Sequence, residues 1–124
     1  MASNEPTDID LTNTDWSLEY MNLGGVSHIV SGRKIPELSF EETALAADDG
    51  TNRARTTYEL SGDSLSIGLI ASTRMAYPEK GMPENALFEY LSLVETVVHH
   101  GELMHLKFAG GELVYRRLEE SEPA

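Results

Sequence analysis

The residues of this chain that could do chemistry fall into three groups. Gly62-Asp63-Ser64-Leu65 spells the tetrapeptide found around the nucleophile of some esterases, which would make Ser64 the attacking hydroxyl. A serine is a weak nucleophile unless a histidine base lies within hydrogen-bond reach and an acid orients that base. The histidines that follow are His99, His100 and His105, and none has an aspartate three residues before it, the spacing those esterases use. They also need a doubly wound domain longer than this chain. Gly62-Asp63 is what a two-residue hairpin turn prefers, with both positions expected at positive φ. The tetrapeptide is therefore read as a turn, and an esterase using Ser64 is kept as a remote alternative.

The second group is His100-Gly101-Glu102-Leu103-Met104-His105. Zinc motifs on a helix put two histidines one turn apart so that both face the metal. Here the spacing is five, and a turn and a strand lie between. Alternation places His105 with Lys107 on an exposed strand face, away from Met104 and Leu106. The third group is acidic. Asp48-Asp49 beside Asn52 lacks the alternating ligands and final bidentate glutamate of a calcium loop, so a solvated loop is expected. Glu41-Glu42 has no partner acid at a recognisable interval. With no cysteine in the chain, thiolate nucleophiles, thiolate metal sites and disulfides are excluded. No catalytic residue, metal site or cofactor is assigned.

Composition frames these readings. The length of 124 residues allows one domain, and 40% hydrophobic with 24% charged residues is ordinary for a packed one. Of the net charge of −12, four units sit in the first 15 residues and three in the last six, leaving a mild excess between. That sign disfavours nucleic acid and anionic membrane surfaces, whose affinity depends on Lys and Arg. No apolar run approaches the ~20 residues needed to span a bilayer as a helix. The first 15 residues lack the basic and apolar regions of a signal peptide, so the chain is expected either to stay in the cytoplasm or to be a secreted form with its leader removed.

The elements that must position these residues are mostly strands. Trp16, Leu18 and Tyr20 alternate with Ser17 and Glu19, and Asn22–Gly25 reads as a turn before a short His28–Val30 stretch. Leu38 and Phe40 alternate with Glu37 and Ser39, and Leu45 leads toward a turn at Asp48-Asp49-Gly50. Residues 56–60 and 64–70 flank the Gly62-Asp63 turn, with Tyr58, Leu60, Leu65 and Ile67 facing inward. Pro83 suits the first turn of a helix carrying Leu87, Phe88, Leu91 and Val94 on one face and Glu84, Glu89, Ser92 and Glu95 on the other. Strands are expected again at 96–98, around Met104–Phe108 and around Leu113–Arg116. The expected fold is α+β, mainly β: an antiparallel cracked barrel or strongly curved sheet of about seven or eight strands with one amphipathic helix. Residues 1–13 are expected as an acidic disordered tail, 14–118 as the domain and 119–124 as an acidic C-terminal tail.

Within the domain, Gly50, Asn52 and Arg53, then Tyr58 and Leu60, Leu65 and Ile67, and Ser72-Thr73-Arg74-Met75 follow a recognisable order. In this the chain resembles the META domain, or HslJ-like, family of small bacterial proteins over about residues 14–118. The resemblance implies the barrel-like fold and no established common activity. It implies cysteine at the positions of Thr51 and Tyr77, so both members of a pair are replaced here, with Tyr77 filling the space. It also implies a cell-envelope or periplasmic setting, in which the acidic N-terminal residues would suit a tether.

The resulting expectation is a non-enzymatic, monomeric, protein-interaction module with an envelope or stress-related role. It would bind a protein or peptide through a barrel edge or mouth. Asn52, Arg53, Arg74 and Tyr77 are the candidate contact residues, with arginine forks as donors; the alternative for them is a structural role in a turn and at a barrel end. A second expectation is a carrier of a small apolar ligand or acyl chain, for which Met21, Met75, Met82 and Met104 with Leu87, Phe88 and Leu91 would line the cavity.

Overall fold

The structure, a computed structural model, describes residues 10–30, 34–70 and 83–118. Period-two alternation builds it. The strands are β1 (Thr14–Leu23), β2 (Val26–His28), β3 (Glu37–Phe40), β4 (Ala44–Asp48), β5 (Arg53–Ser61), β6 (Ser64–Ile67), β7 (Thr96–His100), β8 (Leu103–Phe108) and β9 (Gly111–Arg117). All pairings are antiparallel, and pairing of β1 with β9 closes eight strands into a barrel. The short β2 is the ninth, laid on the same edge of β1 as β3 but farther along it. This is the mainly β barrel expected from the sequence.

One residue of phase explains the first departure from simple alternation. The β1–β9 register shifts between Leu18 and Tyr20, a bulge that leaves an extra residue on β1. After it, Met21 rather than Tyr20 points into the core: Met21 is fully buried, whereas Tyr20 is only half-buried. The turn that follows also sits later than the sequence suggested. Asn22 and Leu23 remain in β1, and Gly24 and Gly25, both at positive φ, form the two-residue loop themselves. Consequently β2 starts at Val26, ahead of the expected His28–Val30 stretch.

At the other hairpins the boundaries move but the inward set holds. β5 is longer than expected and β6 shorter, with Tyr58, Leu65 and Ile67 buried and Leu60 packed against them. In the turn between them only Gly62 has positive φ; Asp63 does not. That is the preference of a type II′ turn, which needs glycine only at its first central position. β6 then touches β7 through a single residue pair, Ser64 with Thr96, supported by Leu65 N–H to Glu95 C=O at 3.0 Å and Val97 N–H to Asp63 C=O at 2.9 Å. The barrel is cracked along this seam.

One short helix packs against the barrel. A 3₁₀ turn (Pro83–Ala86) leads into α1 (Leu87–Leu93), which packs on β6 and β8. Leu87, Phe88 and Leu91 are buried from it, and Tyr90 stacks on Phe108 with ring centres 5.6 Å apart. Val94, expected within the helix, already has extended backbone at its C-cap but stays buried. At the opposite barrel end Trp16 is fully buried, its Nε1 donating to Thr14 Oγ1 at 2.8 Å, while Thr14 donates to the Leu11 carbonyl. Leu11, expected in the N-terminal tail, belongs to the core, and Asn13 N–H bonds the Phe40 carbonyl at 2.8 Å.

Candidate functional site

The turn from Asp48 to Arg53 joins β4 to β5, and its two acids are not solvated. Asp48 and Asp49 are 3% and 0% exposed, which corrects the loop expected there. A buried carboxylate is tolerated where hydrogen-bond donors replace water, and both have them. Asp49 Oδ1 accepts the N–H groups of Thr51 (3.0 Å) and Asn52 (2.7 Å), an Asx-type turn. Asp48 accepts the Gly50 N–H and, through its other oxygen, Lys34 Nζ, each at 2.8 Å. Asn52 is buried, and its carbonyl accepts the Asp49 N–H at 3.1 Å. It sits inside the turn.

Arg53, one residue on, is on the outside. On the outer face of β3, β4 and β5 a groove of about 360 Å³ is walled by Glu37 and Ser39 on one side and Arg53 and Arg55 on the other, with Ala46 and Asp48 between them. Cross-strand register fixes this layout: Ser39 lies beside Ala46 and Ala46 beside Arg55, while Asp48 lies beside Arg53. Alanine on the middle strand is what leaves the hollow. Both nitrogens of the Arg55 fork meet Glu41, at 3.0 and 3.2 Å, and that guanidinium holds the Glu41 carboxyl below the usual carboxylate range. Of the four sequence-derived contact residues, the structure therefore separates Asn52, buried, from Arg53, exposed. Arg74 and Tyr77 lie outside the described residues.

A second exposed feature is β2. Its outer edge has no partner strand among the described residues, and Val26 and Ile29 are 56% and 73% exposed. A two-residue loop makes Leu23–Val26 a hydrogen-bonded pair, so Ser27, opposite Asn22, turns its N–H and C=O to the free edge. The sequence signal lies in Gly-Gly followed by Val-Ser-His-Ile-Val, but the displaced boundary hides it.

The remaining chemistry-bearing residues are dispersed. Ser64 is exposed beside the hairpin turn, with its nearest strand partners Ser61 and Thr96. At the barrel end His99 meets the edge of Trp16, ring centres 5.7 Å apart, and the Arg117 guanidinium lies 5.7 Å over the same indole. His105 is on the outer face as expected yet half-buried, its Nδ1 3.1 Å from Glu112 Oε1, with the His100 ring 5.9 Å away. Among the described residues no three metal-ligating side chains converge, and no helix is long and apolar enough to cross a membrane. Alternation marks Tyr115 only as an inward residue. Its hydroxyl is fully buried without a hydrogen-bond partner among the described residues, and burial, then the negative charge of Asp48, pushes its pKa up.

Comparison with known proteins agrees with this architecture. No curated protein matches the chain at a significant level. A protein from Burkholderia xenovorans, solved by NMR, superposes with a TM-score of 0.74 at 22% identity, covering 97% of this chain and 98% of that one. A second NMR structure gives a TM-score of 0.66 at 25% identity over 86% and 90% of the two chains. The sequence profile of the META domain matches residues 9–121, from before the buried Leu11 to beyond the closing strand, and the chain belongs to that family.

Proposed function

We propose that this protein is a non-enzymatic protein-interaction module that receives an extended segment of a partner along β2. The observation that carries the reading is the free edge at Ser27, flanked by exposed Val26 and Ile29. An unpaired edge with apolar side chains is a template for strand addition, in which main-chain hydrogen bonds supply affinity and side-chain contacts supply selectivity. Charge selects the occupant. A second copy would bring another −12 to a chain that already carries −12, so self-pairing is opposed and the chain is monomeric. An apolar strand flanked by Lys or Arg is favoured by the same field. The absence of chemistry is supported by the dispersal of Ser64 from the histidines and by the commitment of Asp48 and Asp49 to the turn. The envelope and stress-related setting rests on family resemblance. Fractionation of the native host, with the gene read from its own start, tests it, and a cytosolic product counts against it.

The edge is tested with a defined probe, a peptide of alternating valine and threonine flanked by lysines, titrated into ¹⁵N-labelled protein. Shifts centred on Ser27, with slowed exchange of its N–H, are expected. Ser27→Pro removes the outward donor without removing a β1–β2 ladder bond, as proline on a sheet edge can, and should abolish binding. Binding that survives Ser27→Pro, or shifts centred elsewhere, refutes strand addition at β2. Lipid co-purifying inside the barrel would support the carrier reading instead, and loss of ester hydrolysis in Ser64→Ala would support the esterase.

A further inference from the structure

The side chains around the groove on β3, β4 and β5 differ in how far their charges are already satisfied. Arg55 is engaged with Glu41, Ser39 donates to Asp15 at 2.6 Å, and Asp48 holds Lys34. Arg53 and Glu37 are both exposed, and among the described residues neither makes an ion pair or a side-chain hydrogen bond. They are of opposite sign and stand in one cross-strand row, because Leu38 pairs with Ala47 and Asp48 with Arg53. With β4 between them, their strands run about 10 Å apart. Across the same middle strand Arg55 does reach Glu41, whereas Arg53 and Glu37 are not closed on each other, which leaves each open to a ligand.

Beside Glu37, Asp48 is already committed, one oxygen to the Gly50 N–H and the other to Lys34 Nζ. Its side chain is 4% exposed, yet it borders the groove and takes a primary ammonium, Lys34 Nζ, at 2.8 Å from a residue that is itself 57% exposed. The Lys34 ammonium shows the group this corner accepts. The volume of about 360 Å³ lies at the lower end of small-molecule sites.

We propose that this groove is a binding site for a small zwitterion, a short peptide with free ends. Its carboxylate sits on the Arg53 fork and its ammonium on the Glu37 carboxylate, over Ala46. A guanidinium presents a planar pair of donors that matches a carboxylate, and charge-assisted bonds at both ends give orientation. This site is separate from the β2 edge and stands or falls independently of strand addition there.

The probe is triglycine, which has both terminal charges and no side chains, compared with its N-acetylated and C-amidated forms by NMR titration. Triglycine should shift the amides of Ala46, Ala47 and Ala54. Capping either end should weaken binding about tenfold or more, the size of one lost charge-assisted hydrogen bond. Arg53→Gln should erase the difference between triglycine and its amide, and Glu37→Gln the difference between triglycine and its acetylated form. Both replacements are on exposed side chains, and the comparison of the three probes on the wild type decides the question even if a variant misfolds. Equal binding of all three probes, absence of shifts in large excess of triglycine, or shifts that map away from the groove overturns the proposal.

Discussion

Replacing Tyr115 by phenylalanine should stabilise the protein, which reverses the usual sign for a buried tyrosine. The hydroxyl sits on β9 inside the barrel with no hydrogen-bond partner among the described residues, and a buried donor left unpaired costs about 1–3 kcal/mol relative to its hydrated state. Phenylalanine keeps the ring and most of its contacts and removes the unpaired group. Allowing for the small void left by the oxygen, a net gain of about 1 kcal/mol is expected at pH 7. A tyrosine whose hydroxyl was bonded would instead lose about 1 kcal/mol. Urea unfolding followed by tryptophan fluorescence separates the two, since Trp16 is the only tryptophan and is fully buried.

The pH dependence gives a second, independent reading of the same group. Burial and the charge of Asp48 hold the folded-state pKa above the ordinary value of 10.0. Because the folded pKa is the raised one, the unfolded chain releases the proton first. The stability associated with the neutral phenol is therefore present in full below pH ~10 and falls as pH rises from there toward the folded pKa, by about 1.4 kcal/mol per pH unit. The Tyr115→Phe variant has no such loss, so the gap between variant and wild type should widen above pH ~10 with that slope. A variant less stable than wild type at pH 7, or a gap that stays flat above pH ~10, would refute the assignment of Tyr115 as an unpaired, desolvated phenol.

Three further outcomes follow from the packing and the surface charges. Leu91→Ala removes a fully buried side chain of α1, the helix that packs on β6 and β8; a loss of about 2–5 kcal/mol is expected in equilibrium unfolding, and a loss below about 1 kcal/mol would show that the helix can collapse into the gap. Gly111→Ala would place a Cβ 2.1 Å from the Asn22 carbonyl oxygen across the β1–β9 pairing, so β1 and β9 must separate at this end and the amides around Leu23 and Gly111 should lose exchange protection first. For Glu41, NMR titration should find the carboxyl below the usual carboxylate range because of Arg55. Its folded pKa is depressed, so its contribution is present above the unfolded value and lost as pH falls through the folded one. Arg55→Gln or high salt should return the titration to the ordinary range.

Much of the barrel was legible because burial on one face imposes period two, and strand residues such as Leu38, Phe40, Tyr58, Met104 and Leu106 announce it. What escaped was phase and context. The β1 bulge swaps Tyr20 for Met21 as the inward residue, and a one-residue slip cannot be read from alternation alone. Asp48 and Asp49 look solvated in the sequence because acids usually are. Their burial depends on amides of the following residues and on Lys34, fourteen positions away from Asp48. Arg53 was legible as a polar member of a family-like segment. Its partner across the groove, Glu37, was not, because the row joining them exists only once β3, β4 and β5 are in register.

The commitments of the outer face also argue that stability and recognition are separable in this protein. Inside the barrel and at its ends, side chains such as Trp16, Leu91 and Met104 are fully buried, and the acids of the β4–β5 turn are bonded to it. Among the described residues, the groups open on this flank include Arg53 and Glu37 over Ala46 and the main chain of Ser27 on β2. β2 and β3 share one edge of β1, with Met21 opposite His28 and Ser17 opposite Glu37. About four residues of strand separate those anchor points, roughly 13 Å. A peptide seated in the groove and a strand added to β2 would thus lie on one flank, close enough for like charges on the two ligands to be felt at low salt. With both sites occupied, a lysine-flanked strand at β2 should weaken the ammonium end of triglycine binding without altering the effect of Arg53→Gln. Triglycine titrations with and without the strand peptide at two salt concentrations test this. Independence at low salt would place the two sites out of electrostatic reach and refute the shared flank.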